Sequence, residues 1–310
     1  MMSLDDQAAF KALKARLRIL LPEEYQDCYE DVQPVSMGSA GLKYRSDGRV
    51  AWNEIWATFC DLAMAGGPPH KGKLLEPASR AEIDAQPDRY EEVLEEICRG
   101  VMMVTGLAAT PSPIPGWVCV DCEDDGMSEW LVRAILMENV SARCEGAVLD
   151  LPAGPGYRIE KEIKNVITVI AKTCHYWSGH IGPTQRRAIA HLFEKMAVES
   201  PLVRPELELP GHEFQAHRHQ MLRSKMAGII LQRTGLRSSN HQYIGWLGLE
   251  CPDISAAIWM MRAMVASNVL SRREETVLFV PVNPVNDPEG EAVIQSVVRI
   301  HGFNTARGAP

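Results

Sequence analysis

The sequence predicts an α/β protein made by internal tandem duplication, and three observations carry that prediction. First, sliding the 310-residue chain by 129 positions lays Thr105-Gly106-Leu107 on Thr234-Gly235-Leu236 and Gly116-Trp117 on Gly245-Trp246. The same shift lays Cys122 on Cys251, Asp124 on Asp253, Trp130 on Trp259 and Asn139-Val140 on Asn268-Val269. Second, 21 of 66 ungapped positions between 105–170 and 234–299 are identical, where composition alone gives about one match in seventeen. Third, short β-rich apolar runs alternate with helical periodicity in both halves. A repeat of this kind predicts two equivalent units related by a pseudo-twofold axis. Each runs helix–helix–β–α–β–α, over 51–174 and 175–310. Residues 1–50 have no counterpart and are expected to form a helical extension that wraps the first unit.

Taken in order, 53–64 is apolar at Ile55, Trp56, Phe59, Leu62 and Ala63, the spacing of a helix. Gly66-Gly67-Pro68-Pro69 stops it. Residues 90–105 give a second helix with Val93, Leu94, Ile97 and Val101 on one face and Gly106 as its stop. The segment 117–122 follows as a buried strand. Asp124 then caps a helix bearing Trp130, Leu131, Ala134, Ile135 and Met137. Residues 147–151 form the next strand, and Ile159, Ile163, Val166, Ile167 and Ile170 trace one face of a closing helix. The second half repeats the plan: helices at 186–196 and 213–233, strand 244–250, helix 254–268, strand 276–282 and helix 289–300. Strand–helix–strand with this crossover is read as a right-handed parallel unit.

The bulk numbers narrow the function. A length of 310 residues suits two domains. The net charge of −8 argues against a nucleic-acid partner, which needs concentrated positive charge. No run of about 20 apolar residues exists, so no membrane span is expected. The first residues carry no export signal, so the eight cysteines are expected to be reduced and the protein cytoplasmic.

Cys122 and Cys251 are the leading candidates for chemistry. Each ends a predicted strand and precedes a predicted helix N-terminus, where unpaired N–H groups favour an anion and lower a thiol's pKa. In an open parallel sheet that edge is also where ligands bind. The loop Gly66 to Lys73 offers His70, Lys71 and Lys73 as anchors for a carboxylate or phosphate, with Arg158 as a further anchor. Its counterpart near Ser200 to Pro205 has lost the glycines and lysines. His212, Glu213, His217 and His219 gather near one helix start, and His217 could serve as general base or join His212 and His219 around a divalent metal. Cys174-His175-Tyr176-Trp177-Ser178-Gly179-His180 forms a second histidine group in the connector. The pair Cys119 and Cys122 is a C-x-x-C, but residues three apart on a strand face opposite ways. No nucleotide-cofactor motif is present.

The stretch Gly248-Leu249-Glu250-Cys251-Pro252, followed by an apolar helix, the strand 277–282 and a helix ending near His301-Gly302-Phe303, resembles the TusA/SirA-type sulfur-carrier family. That likeness covers about residues 244–303, with a diverged copy at 115–174. It implies that Cys251 carries a persulfide, with Pro252 opening the helix, and that a sulfur-relay protein or a second copy of the chain is a partner. Glu123 stands after Cys122, where Pro252 stands after Cys251, and Ile254 occupies the family's second proline position.

Three functions follow as expectations. The first is thiol chemistry on a small anionic substrate through Cys251, with Cys122 as its equivalent. The second is a metal-assisted or acid–base enzyme with a His/Glu site in a cleft between the repeats. The third is a non-catalytic small-molecule-binding or assembly module.

Overall fold

A computed structural model describes residues 3–21, 23, 26, 41–54, 72–206, 216–241 and 243–307. The predicted helix 53–64 and the glycine-proline loop after it fall almost wholly outside the described residues. Two compact units result: a first over residues 31–190, and a second over 191–310 together with 1–30. The N-terminal segment therefore belongs with the second half of the chain, whereas the sequence suggested the first.

In the first unit the elements are helices α2 (Arg80–Ala85) and α3 (Pro87–Thr105), strands β1 (Ala109–Pro111) and β2 (Trp117–Asp121), and helix α4 (Asp125–Met137). Strands β3 (Arg143–Glu145) and β4 (Val148–Pro152) and helix α5 (Lys164–His175) follow, and α6 (Pro183–Glu199) leads onward. The second unit holds α1 (Leu4–Leu20), α7 (Ala216–Thr234), β5 (Trp246–Glu250), α8 (Ile254–Val265), β6 (Arg272–Glu274), β7 (Val277–Pro281) and α9 (Glu291–Arg307). Strands β2, β3 and β4 correspond to β5, β6 and β7 at the same 129-residue offset.

Both sheets are antiparallel, which corrects the parallel crossover expected from sequence. Their orders are β1-β2-β4-β3 and β5-β7-β6. The cause is a two-residue turn. Glu145 pairs with Val148 across Gly146-Ala147, and Glu274 pairs with Val277 across Glu275-Thr276. The first turn residue is left-handed in each, Gly146 at φ 54° and Glu275 at φ 49°, as tight hairpins require. The chain thus doubles back, and β4 inserts between β2 and β3, antiparallel to both. The three-residue strands β3 and β6, charged and short, carry too little pattern to be read from sequence.

The residues shared by the two halves turn out to be joints. Thr105 donates to Val101 O and accepts from Leu107 N–H, while Gly106 closes α3 at φ 75°. Thr234, Leu236 and Gly235 repeat all three features. Asp124 caps α4 by accepting from Met127 N–H at 2.7 Å, and Asp253 caps α8 by accepting from Ala256 N–H at 2.8 Å. Asn139 and Asn268 are left-handed, at φ 59° and 63°, a conformation asparagine tolerates better than most residues. Their side-chain amides donate to Gly72 O at 2.6 Å and Ser200 O at 2.7 Å. Their own carbonyls accept from Leu75 N–H and Val203 N–H.

Helices pack on the apolar face of each sheet. In the first unit Val118, Val120, Leu149 and Leu151 lie buried with Ile97, Leu131, Ile135, Ile167 and Ile170. In the second unit Leu247, Leu249, Leu278 and Val280 play the same part with Met260, Met264, Val297 and Ile300. Helix α1 adds Phe10, whose ring centroid lies 6.2 Å from Trp259 and 5.1 Å from Phe303. Among the described residues no helix is long and apolar enough to cross a membrane.

Glycine placement gives a test of this frame. Gly235 and Gly245 are both left-handed, at φ 80° and 75°. A Cβ on Gly235 would meet open space, whereas one on Gly245 would lie 2.4 Å from Glu206 O. In urea unfolding, Gly235→Ala is expected to cost about 1 kcal/mol and Gly245→Ala about 3 kcal/mol or more. Equal costs would show that the close approach to Glu206 does not constrain the fold.

Candidate functional site

The two matched thiols sit where the sequence placed them, directly after β2 and β5, in surroundings that raise their pKa. Cys122 N–H donates to Ala147 O and Cys251 N–H to Thr276 O, both at 2.9 Å. Each sulfur lies 4.0 Å from a carbonyl oxygen two residues back, Val120 O or Leu249 O. Burial pushes Cys122 up to about 12, reinforced by Cys144 and by the carboxylates of Asp121, Asp124 and Glu123. Burial likewise pushes Cys251 up to about 12, with Asp253 acting in the same direction against a hydrogen bond from Leu278. The helix N-termini beyond them are already answered by the Asp124 and Asp253 caps. A buried thiol next to a capping carboxylate stays protonated. The other half of the C-x-x-C has separate partners: Cys119 donates to Asp150 Oδ1 at 3.0 Å, and Asp150 Oδ2 accepts from Arg143 at 2.7 Å.

Only part of the predicted histidine cluster falls within the described residues. His212 and Glu213 lie outside the described residues, and His217 is exposed on α7. His219, two residues on, is buried, and its Nε2 accepts Gly245 N–H at 3.2 Å. In the first unit the phenol of Tyr90, at the equivalent position, accepts Gly116 N–H at 2.7 Å. His219 is therefore a structural acceptor, and burial holds its pKa below the ordinary histidine range. Among the described residues no three His, Cys, Asp or Glu side chains are placed to hold a metal ion. Of the proposed anion anchors, His70 and Lys71 lie outside the described residues and Lys73 is exposed. Arg158 is occupied by Glu162, through Nη2 at 3.0 Å and Nε at 3.2 Å.

A cavity that the motifs did not reveal lies in the second unit. It measures about 430 Å³ and is walled by α1 through Ala9, Ala12, Leu13 and Arg16. The α6 end and the turn after α8 contribute Glu199, Ser200, Ser267 and Val269. Its remaining wall is one face of α9, namely Ala292, Gln295, Ser296, Arg299, Ile300 and Phe303. Counted back by 129, Ala292, Gln295, Ser296 and Arg299 correspond to Ile163, Val166, Ile167 and Ile170. Those four are at most 1% exposed in the first unit. Core packing of α9 runs through Val293, Ile294, Val297 and Ile300 instead, so its small and polar face lies beside a sealed apolar one. Arg16 Nη2 pairs with Glu199 at 3.0 Å. Arg299 has no partner among the described residues. It also lines a larger open groove with Arg233, Gln295 and Phe303.

The turn of α8 marks the same divergence. Glu138 and Lys172 form a buried ion pair at 2.5 Å in the first unit, with burial drawing the lysine pKa down. Their equivalents are Ser267 and His301. The available signal was a difference between the halves at core positions, whereas the sequence reading followed identities.

Two measurements check these assignments. At about pH 7.5, alkylation of Cys122 and Cys251 by iodoacetamide is expected to run at least tenfold slower than that of an exposed cysteine, and fast labelling of either would restore the reactive-thiol reading. For His219, a folded pKa below the unfolded value of about 6.5 means the unfolded chain binds the proton more readily. Its contribution to stability is full above that value and is lost as pH falls through the folded pKa. His301, lowered by burial too, acts with the same sign. His219→Tyr keeps the acceptor and removes the titration, so its urea midpoint should fall less steeply below about pH 6.5; an unchanged slope would remove His219 from the account. Comparison with protein-family models, curated proteins and solved structures finds no match to this chain.

Proposed function

We propose that this protein is a duplicated binding module whose second unit takes a small anionic molecule in the cavity beneath α1. The observation that carries this reading is the cavity beneath α1 and the small and polar face that α9 turns to it, with Ala292, Gln295, Ser296 and Arg299. The cavity volume of about 430 Å³ suits a small molecule. Arg299 supplies a planar guanidinium for a carboxylate or phosphate, and the hydroxyls of Ser200, Ser267 and Ser296 lie along the walls, while Arg16 is held by Glu199. No acid–base pair or low-pKa nucleophile accompanies them, which favours binding over catalysis.

Thiol chemistry at Cys251, with sulfur carriage as the family resemblance implies, is the second reading. It is supported by the strand-to-helix position of the cysteine and opposed by its raised pKa.

Calorimetric titration with inorganic phosphate, pyruvate and citrate separates the two. At least one anion is expected to bind wild type, and Arg299→Ala to weaken it about 10- to 100-fold, the value of a charged hydrogen bond. Ser296→Ile, which restores the first unit's residue, is expected to fill the cavity and block binding while leaving the fold intact. Cys251→Ser should bind as wild type. Anion binding unchanged in both cavity variants would refute the assignment, and loss of persulfide loading in Cys251→Ser would favour the carrier.

A further inference from the structure

The connector between the halves carries a histidine pair that the binding site does not use. After α5 the backbone widens into a single π-helical turn over Tyr176–His180, and Ile181 N–H donates to Tyr176 O at 2.9 Å. Such turns are uncommon and recur at functional positions. The widening brings residues five apart into register, and the Nε2 atoms of His175 and His180 share a hydrogen bond of 3.0 Å, which a metal ion would replace. The rings meet edge-on, with centroids 4.8 Å apart and planes at 72°. Both residues are half-buried.

The turn is held from several sides. Arg186 Nε donates to Ile181 O at 2.9 Å and Nη2 to Ser178 O at 2.8 Å. Its guanidinium stands 5.7 Å above the Trp177 ring and 3.8 Å from Glu123. Trp177, 1% exposed, packs on Trp130 at 5.7 Å. The two imidazoles therefore stand on a braced turn, and little entropy remains to be lost on joining them.

We propose that His175 and His180 form a two-histidine seat for a late first-row divalent ion, copper(II) or nickel(II). With metal–nitrogen bonds of about 2.0–2.1 Å, a separation of 3.0 Å between two ligand nitrogens corresponds to an angle of about 94° at the metal. That is close to the cis angle of tetragonal copper and nickel sites and below the tetrahedral angle zinc prefers. Imidazole suits these ions, and copper(II) heads the divalent affinity order. Water or a bound small molecule would complete the coordination.

The test is titration of the full chain with copper(II) chloride, followed by amide NMR broadening and by copper EPR. The expected result is one tight equivalent that first broadens amides of residues 174–182 and gives a spectrum with two nitrogen ligands. His175→Ala and His180→Ala should each weaken that equivalent by about tenfold or more, while His217→Ala leaves it unchanged. Broadening that begins around 216–219, or a double His175/His180 variant that binds copper(II) as wild type does, would overturn the proposal. The broadening pattern of the wild-type chain decides the matter even if a variant fails to fold.

Discussion

Each unit is organised around a single left-handed asparagine. Asn139 and Asn268 end a helix, turn the chain toward the short edge strand and fasten a distant segment with the side-chain amide. The same two residues accept Leu75 N–H and Val203 N–H, and those segments return a bond, since Ser141 N–H donates to Leu75 O and Leu270 N–H to Val203 O. Three hydrogen bonds per unit thereby join a distant segment to one residue and its surroundings. In the second unit this knot also places Ser200, Ser267 and Val269 along the cavity wall. Architecture and binding surface consequently share one local constraint.

Identity between the halves marks that architecture. Thr105 with Thr234, Gly116 with Gly245, Asp124 with Asp253 and Asn139 with Asn268 are caps, tight approaches or turns. Such positions tolerate few residue types because backbone conformation and unpaired N–H groups dictate them. Even Tyr90 and His219, which differ, supply the same acceptor to the same amide.

Much of the fold was legible because its signals are local. Apolar periodicity located the helices at Pro87–Thr105 and Asp125–Met137, and Asp124 and Asp253 marked their own caps. Strand direction was not legible, because it hangs on a two-residue turn and a three-residue partner with charged side chains. The strand-end placing of the thiols was legible, whereas the desolvation and neighbouring carboxylates that raise their pKa come from packing that no motif encodes. The cavity escaped notice because no motif encodes it; it arises where α1 meets the small and polar face of α9.

The Lys172–Glu138 pair has an evolutionary corollary. Removing one member of a buried pair strands the other as an uncompensated charge and costs about 3–5 kcal/mol, so neither can drift alone. The second unit carries Ser267 and His301 at the corresponding positions, so either can be exchanged there without stranding a buried charge.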